Sequence, residues 1–319
     1  MRILRHTREL PAEAAGAVAA LGNFDGVHRG HQALIGEAGR LARAANRPLT
    51  CLVFEPYPRE FFRPDDEPFR LTSLHAKAEL LADLGVDFTI VIGFDAEMAS
   101  MLAQDFVLNI LVGQLRLAHV VVGEDFLFGK GRGGDTTLLA YMGQMEGFGV
   151  TVFAPVPAGR GTKISSSDIR RALKAGRPEE AARLLGHWWR VEGAVAPGDR
   201  RGRTLGYPTA NLKLEHLLQP AFGVYAVRVG LGGDKGSVRD GVANFGVRPM
   251  FELTEPLMEV HLFDFSGEIY GAPMSVDLIA YLRGEAKFDS VEALKTQMAA
   301  DCRMARRLLS ERDGVPSLT

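Results

Sequence analysis

Between Val18 and Leu173 short apolar runs alternate with stretches of helical period, and after Gly186 that alternation stops. The runs Val18–Leu21, Leu49–Phe54, Phe88–Ile92, His119–Val122 and Val150–Ala154 read as strands. Between them lie helical stretches such as Gln32–Ala45, where Leu34, Ile35, Ala38, Leu41 and Ala45 share a face, and Leu74–Leu84. Strand, helix, strand at this spacing predicts a parallel sheet with helices on both faces. Ligands of such sheets bind beyond the carboxyl ends of the strands.

A further helix is predicted over Pro178–Leu185. Trp188–Val195, Gly223–Val229, Gly241–Val247, Leu257–Phe265 and Met274–Leu282 then read as strands separated by Gly-, Pro- and Asp-rich turns. Consecutive strands with turn signals predict an antiparallel barrel or sandwich. The chain closes on a predicted helix, Ser290–Leu309, with Val291, Leu294, Met298, Cys302, Ala305 and Leu309 in one stripe. With 319 residues the chain has room for two domains, expected at 1–185 and 186–319.

A net charge of −2 provides no overall basic field for a polyanion, so no nucleic-acid partner is expected. Small anionic substrates remain compatible with local arginine clusters. Cys51 and Cys302 are the only cysteines, which indicates neither a disulfide framework nor a cysteine zinc site and suits a reducing cytoplasm. The alanine-rich start is weakly apolar and follows Pro11 and Glu13, so it reads as a buried first strand rather than a signal peptide. No run approaches membrane-spanning length, and no membrane partner is expected. Oligomeric state is not legible.

GNFDGVHRGHQ, residues 22–32, lies where the first strand stops and a helix is expected near His31. Free N–H groups at a helix start make an anion site. Gly26 and Gly30 let the backbone approach a ligand, and His28 and His31 can reach the same point beyond the helix end. Imidazole N–H groups there would stabilise charge at a phosphorus under attack. The same pair also reads as half a zinc site, lacking other ligands, or as ordinary helix-start residues. Ile164–Arg170 (ISSSDIR) opens a helix through Leu173, and Ser165 with Asp168 has capping-box spacing. Gly129–Gly134 fits G-x-G-x-x-G, the chief evidence for a dehydrogenase. The strand Val150–Pro155 lacks the acidic residue that fingerprint needs, so the loop is expected to be mobile over the site, with Lys130 and Arg132 solvated or near substrate. No G-x-x-x-x-G-K-[ST] loop or protein-kinase motif set occurs.

The 22–32 segment resembles the HxGH signature of nucleotidylyltransferases in the version carried by bacterial bifunctional riboflavin kinase/FAD synthetases. Phe54–Pro58 (FEPYP) resembles that family's F-[DE]-P-x-P segment, with Tyr57 where His is common. Val121–Gly129 resembles VVGxDFxFG, with Leu127 where Arg is common; Ile164–Arg170 resembles ISS[ST]xxR, and Gly206–Asn211 the kinase PTAN motif. The resemblance implies a Rossmann-like α/β nucleotidylyltransferase domain with a parallel sheet, then a small antiparallel β-barrel riboflavin-kinase domain with a C-terminal helix. It implies ATP-dependent phosphorylation of riboflavin to FMN, then adenylylation of FMN to FAD with release of pyrophosphate, with Mg²⁺ as cofactor.

On the matching positions, the resemblance assigns His28, His31, Arg170 and Glu259 to catalysis, with Glu259 as base toward the ribityl hydroxyl. Gly22, Phe24, Asp25, Gly26, Gly30, Ser165, Ser166, Gly198 and Arg203 are expected at ATP, and Thr209 and Asn211 at the metal. Asp125, Phe128, Tyr225 and Asn244 are expected at flavin, with Phe54 and Phe126 further aromatic candidates. Alternation predicts Glu259, His261 and Phe263 on one strand face, where Glu259 also reads as a solvent-facing residue. The glycine-spaced basic loop 198–203 reads as a flap over phosphates or a charged turn. Two other readings stay open: one active half only, or a flavin sensor without turnover.

Overall fold

The computed structural model describes the whole chain except residues 6, 8–9, 158–162, 197–205, 233–237, 248–255, 313 and 318–319. It forms two compact units, 1–67 with 77–164 and 68–76 with 165–319.

In the first unit, β1 (Arg2–Leu4), β2 (Val18–Leu21), β3 (Leu49–Glu55), β4 (Phe88–Gly93), β5 (His119–Gly123) and β6 (Gly149–Phe153) form a six-stranded sheet in the order β1-β4-β3-β2-β5-β6. Every pairing is parallel. All four β2 residues are buried, as expected of a central strand covered on both faces. The three-residue β1, largely exposed, protects its edge by being short. With β3 on one side of β2 and β5 on the other, the chain direction reverses at β2, opening a crevice at the carboxyl ends of β2 and β5.

The helices are α1 (Arg29–Ala44), α2 (Pro58–Phe62), α3 (Leu74–Asp83, which begins in the segment of the second unit), α4 (Ala96–Ser100), α5 (Ala103–Asp105) and α6 (Thr136–Glu146). Helix α1 begins before its predicted start because His28 takes the cap position. Helix α5 runs directly into a π-helical stretch, Phe106–Gln114, that the sequence reading passes over. Phe106, Val107, Ile110 and Leu111 are all buried against β2–β5, and a segment this apolar has no polar face to reveal its period.

The glycine loop expected to be mobile is tied down. Phe128 and Gly134 exchange two backbone hydrogen bonds (3.0 and 2.9 Å), and Lys130 N–H donates to Met101 O at 2.7 Å. A Cβ at Gly129 would lie 2.6 Å from Ala103 N and Cα, and one at Gly134 would lie 2.7 Å from Ala103 Cβ. Two of the three glycines of the apparent dinucleotide fingerprint, Gly129 and Gly134, are therefore needed for close packing on α5.

In the second unit, α7 (Ser166–Lys174) and α8 (Pro178–Leu185) precede β7 (Trp189–Ala194), β8 (Ala210–Lys213), β9 (Gly223–Leu231), β10 (Val238–Gly246), β11 (Leu257–Leu262) and β12 (Pro273–Arg283), and α9 (Val291–Ser310) follows. The strands are antiparallel in the order β7-β12-β9-β10-β11-β8. Ala196, just past β7, donates to Asn211 O of β8 at 2.9 Å and brings the ends of the sheet together in a nearly closed barrel. Register shifts in β12 after Leu278 and Tyr281 supply the bending. β8 is too short, and too close to Pro208, to show as a strand in the sequence.

Two expectations need correction. The predicted strand to Phe265 stops at Leu262, because Asp264 takes φ +53°, and Phe263 is buried with Ala305 and Leu309 of α9. On α9 itself the predicted stripe packs only in its C-terminal half: Ala305 and Leu309 are buried, whereas Val291 is exposed. The segment 68–76 is bound into this unit through three carbonyls. Phe69 O accepts from Arg170 Nε, Arg70 O from Leu218 N–H and Leu71 O from Trp189 Nε1, each at 2.8 Å. Among the described residues no helix is long and apolar enough to cross a membrane.

Gly131 and Gly129 allow a test of this packing. Gly131 has φ +60° and open space around its Cα. Gly131→Ala should cost only the left-handed penalty, about 1–2 kcal/mol, while Gly129→Ala should lose a further ~1–3 kcal/mol from overpacking. Urea unfolding of the two variants against the parent chain measures the difference.

Candidate active sites

Leaving β2, the chain passes through Phe24 (φ +48°), Gly26 (φ +80°) and Val27 (φ +39°) before α1 begins. Three left-handed residues in four make a tight turn, and the following His28 is the α1 N-cap. Its Nδ1 accepts from His31 N–H at 3.3 Å. An accepting Nδ1 carries no proton, so neutral His28 keeps its N–H at Nε2. A Cβ at position 30 would lie 3.1 Å from His28 Cε1, so Gly30 leaves the room in which that ring folds back. The two imidazoles stack at 3.5 Å between centroids and 15° between planes, with Phe24 edge-on to His31 at 5.3 Å. Phe24, Asp25 and His28 are buried.

Among the described residues His31 Nδ1 is inaccessible and lacks a hydrogen-bond partner. Burial, then the neighbouring His28 and Lys77, hold the His31 pKa well below the ordinary 6.5. The turn thus presents two stacked imidazoles, His31 held neutral, at a helix N-terminus, an arrangement suited to a phosphoryl group and to stabilising charge developing on its oxygens. Among the described residues no cluster of metal-ligating geometry includes either histidine, so the zinc reading finds no support there.

Tyr57, 2% exposed, supports the turn from below by donating its hydroxyl to Asp25 Oδ1 at 3.1 Å. The ammonium of the buried Lys77 lies 4.4 Å from the centre of the Tyr57 ring and 3.7 Å from Glu55 Oε1.

A cavity of 820 Å³ opens in the same unit, lined by Asn23 of the turn, by Phe54, Phe62, Phe94, Phe106, Phe126 and Phe128, and by Arg59, Arg63 and Arg132, among others. The rings of Phe126 and Phe128 stack at 5.5 Å and 20°. Sequence reasoning named Phe54, Phe126 and Phe128, and had Arg132 as solvated or near substrate. It missed Phe62, Phe94 and Phe106, which come from three separate elements with no shared spacing. Asp125 is not among the lining residues and pairs with Lys163 at 2.7 Å, which raises the lysine pKa.

Ser165, Ser166 and Arg170 sit together at the start of α7 in the second unit. Ser165 Oγ accepts from Asp168 N–H at 3.2 Å and donates to Asp168 Oδ2 at 2.6 Å, so the capping role holds. The Arg170 guanidinium donates to Phe69 O and lies 5.2 Å over the Phe69 ring.

In the barrel, Asn211 of β8, Glu259 of β11 and Asn244 of β10 are direct register partners and form one row across three strands. Directly opposed residues share a face, so an amide, a carboxylate and a second amide line up. Asn211 is buried and Glu259 and Asn244 are half-buried. His261 Nδ1 donates to Pro208 O at 2.9 Å and tethers the segment carrying Thr209. Thr209, Asn211 and Glu259 offer only oxygen donors, the chemistry a hard divalent cation requires. Tyr225 is buried on β9 with its hydroxyl donating to Ala221 O at 2.5 Å; burial and Tyr281 raise its pKa. Gly198 and Arg203 lie outside the described residues.

The FAD synthetase family profile matches residues 10–168 and the riboflavin kinase profile residues 185–309. The bifunctional riboflavin kinase/FMN adenylyltransferase of Escherichia coli is 42% identical over 308 residues, 96% of this chain and 97% of that protein. The Pseudomonas fluorescens protein of the same name is 41% identical over 309 residues, 97% and 98% of the two chains. A solved Streptococcus pneumoniae structure, described as a macrolide-efflux protein, aligns with TM-score 0.84 at 31% identity over 95% of this chain and 98% of its own. Likeness of this extent, running through both units, means that the chain belongs to the family of bifunctional riboflavin kinase/FMN adenylyltransferases.

Proposed function

We propose that this chain phosphorylates riboflavin to FMN and adenylylates FMN to FAD, with residues 1–185 carrying adenylyl transfer and 186–319 the kinase. The observation that carries the reading is the stacked His28–His31 pair at the α1 N-terminus, joined through Asn23 to an aromatic cavity. The cavity volume suits a flavin-sized ligand, and its phenylalanines suit an isoalloxazine.

In adenylyl transfer an FMN phosphate oxygen bonds to the α-phosphorus of ATP, the bond to the β-phosphate oxygen breaks, and pyrophosphate leaves. No protein nucleophile is needed. His28, His31 and the backbone N–H groups of Gly26 and Gly30 bind the reacting phosphoryl group, with Gly22, Phe24 and Asp25 shaping the turn around the nucleotide. Ser165, Ser166 and Arg170 grip the outer phosphates, while Phe128 and Asp125 serve the flavin. In the kinase half, Glu259 takes the proton of the ribityl hydroxyl as that oxygen attacks the γ-phosphorus. Asn244 belongs to the flavin side of that site and Gly198 and Arg203 to the ATP side; Tyr225, expected at flavin as well, pairs in register with Ala243 and so lies on the opposite face from Asn244 and Glu259. Thr209 and Asn211 would hold Mg²⁺, which when bound offsets phosphate charge. Two unpaired cysteines suit a reducing cytoplasm.

Three variants test these assignments in one assay, with riboflavin or FMN supplied together with ATP and Mg²⁺ and the flavins separated. His28→Ala with His31→Ala should stop at FMN, FAD formation falling by about 10²-fold or more. Glu259→Ala should make no FMN from riboflavin yet convert supplied FMN to FAD. Phe62→Ala, at an exposed cavity residue, should raise the KM for FMN by roughly 3- to 10-fold and leave riboflavin phosphorylation unaltered.

A further inference from the structure

The adenylyl-transfer chemistry above makes no use of a lysine buried directly under its histidine turn. Lys77 on α3 has no solvent-exposed side-chain surface, and full burial of lysine is rare without a specific partner. Its partners are the face of Tyr57 at 4.4 Å and the Glu55 carboxylate at 3.7 Å. Tyr57 is bound in turn to Asp25 at 3.1 Å, and Asp25 lies between the left-handed Phe24 and Gly26, three residues ahead of His28. A continuous path therefore runs from the ammonium through the phenol to the turn. For stability alone an apolar residue of lysine's length would serve as well, since buried ion pairs gain little net free energy.

We propose that Lys77 is a positioning residue for adenylyl transfer, holding the His28–His31 turn in place through Tyr57 and Asp25. The inference rests on the assignment of that turn to transfer. It has an electrostatic consequence as well. The charged groups around His31 are His28 on its own turn and Lys77 from α3, and the carboxylates in the cluster, Asp25 and Glu55, are engaged with Tyr57 and Lys77. Burial is the main reason that His31 stays neutral where an exposed histidine would take up a proton, and the fixed cation adds to it by disfavouring a second one. His31 then enters the reaction in one protonation state.

The test uses the full chain, with the His31 ring followed by NMR titration and FAD formation from supplied FMN followed against pH. In the parent protein His31 should titrate below 6.5, the ordinary value. In Lys77→Met the midpoint should move upward. The acid limb of the FAD-formation profile should move up in pH with that midpoint, and the several-fold loss that remains on the alkaline plateau reads the lost positioning. Lys77→Arg, which keeps the charge, should restore the parental titration, and riboflavin phosphorylation should be unchanged in both.

A folded Lys77→Met with parental titration and parental pH profile overturns the proposal, as does a parent protein whose His31 titrates at the ordinary value. Should Lys77→Met not fold, Tyr57→Phe reads the same path: it keeps the ring beneath the ammonium and cuts the bond to Asp25. It should lower kcat for FAD formation several-fold with KM for ATP nearly unchanged, and a parental kcat overturns the proposal. A parent protein that makes no FAD from FMN would instead defeat the assignment of the turn, while the His31 titration still decides the effect of Lys77.

Discussion

The bond from the His31 amide to His28 Nδ1 starts helix α1 and at the same time settles which nitrogen of His28 bears its proton. A serine or aspartate in the cap position would start the helix as well, but would present no ring to stack on His31. With histidine there, the cap that satisfies the backbone is also part of the site, and Gly30 is required by the same geometry because any Cβ would crowd the imidazole. Helix start, tautomer and ring placement are thus fixed together.

The two sites rest on different physics. In the first unit the chemistry proposed asks only for fixed donors and partial charges toward phosphoryl oxygens, with no proton transferred by the protein. In the barrel the row Asn211–Glu259–Asn244 places a carboxylate between two amides across three strands, a setting for proton removal from a hydroxyl. Parallel strands ending in turns suit the first task, because helix N-termini gather at one edge of the sheet. Antiparallel strands suit the second, because register alone sets side chains from different parts of the chain opposite one another.

Much of this was legible in the sequence where signals are local. The strands of the first unit show as apolar runs, and GNFDGVHRGHQ shows as two histidines and three glycines at a strand end. Glu259 is legible through alternation, since Met258, Val260 and Leu262 fill the opposite, buried face of β11. What escaped depends on tertiary placement. Phe106–Gln114 is mostly apolar even where it is exposed, as at Leu108, and so shows little periodicity to detect. Phe62, Phe94 and Phe106 meet only because β3, β4 and the segments after them end side by side. Lys77 reads as one more polar residue in a helix, until the fold buries it between a phenol and a carboxylate. The G-x-G-x-x-G of Gly129–Gly134 is the converse case, a pattern with a familiar chemical meaning whose first and last glycines are spent on contact with Ala103.

The segment 68–76 also bears on how the chain can be divided. Its carbonyls receive Arg170, Trp189 and Leu218, so a fragment beginning at residue 165 would lose the acceptors of the buried Trp189 indole N–H, of Arg170 Nε and of the Leu218 amide. Each orphaned donor costs on the order of 1–3 kcal/mol when it stays buried. Two units interleaved in this way inherit and unfold less independently than beads on a string, and the thread that joins them is nine residues long.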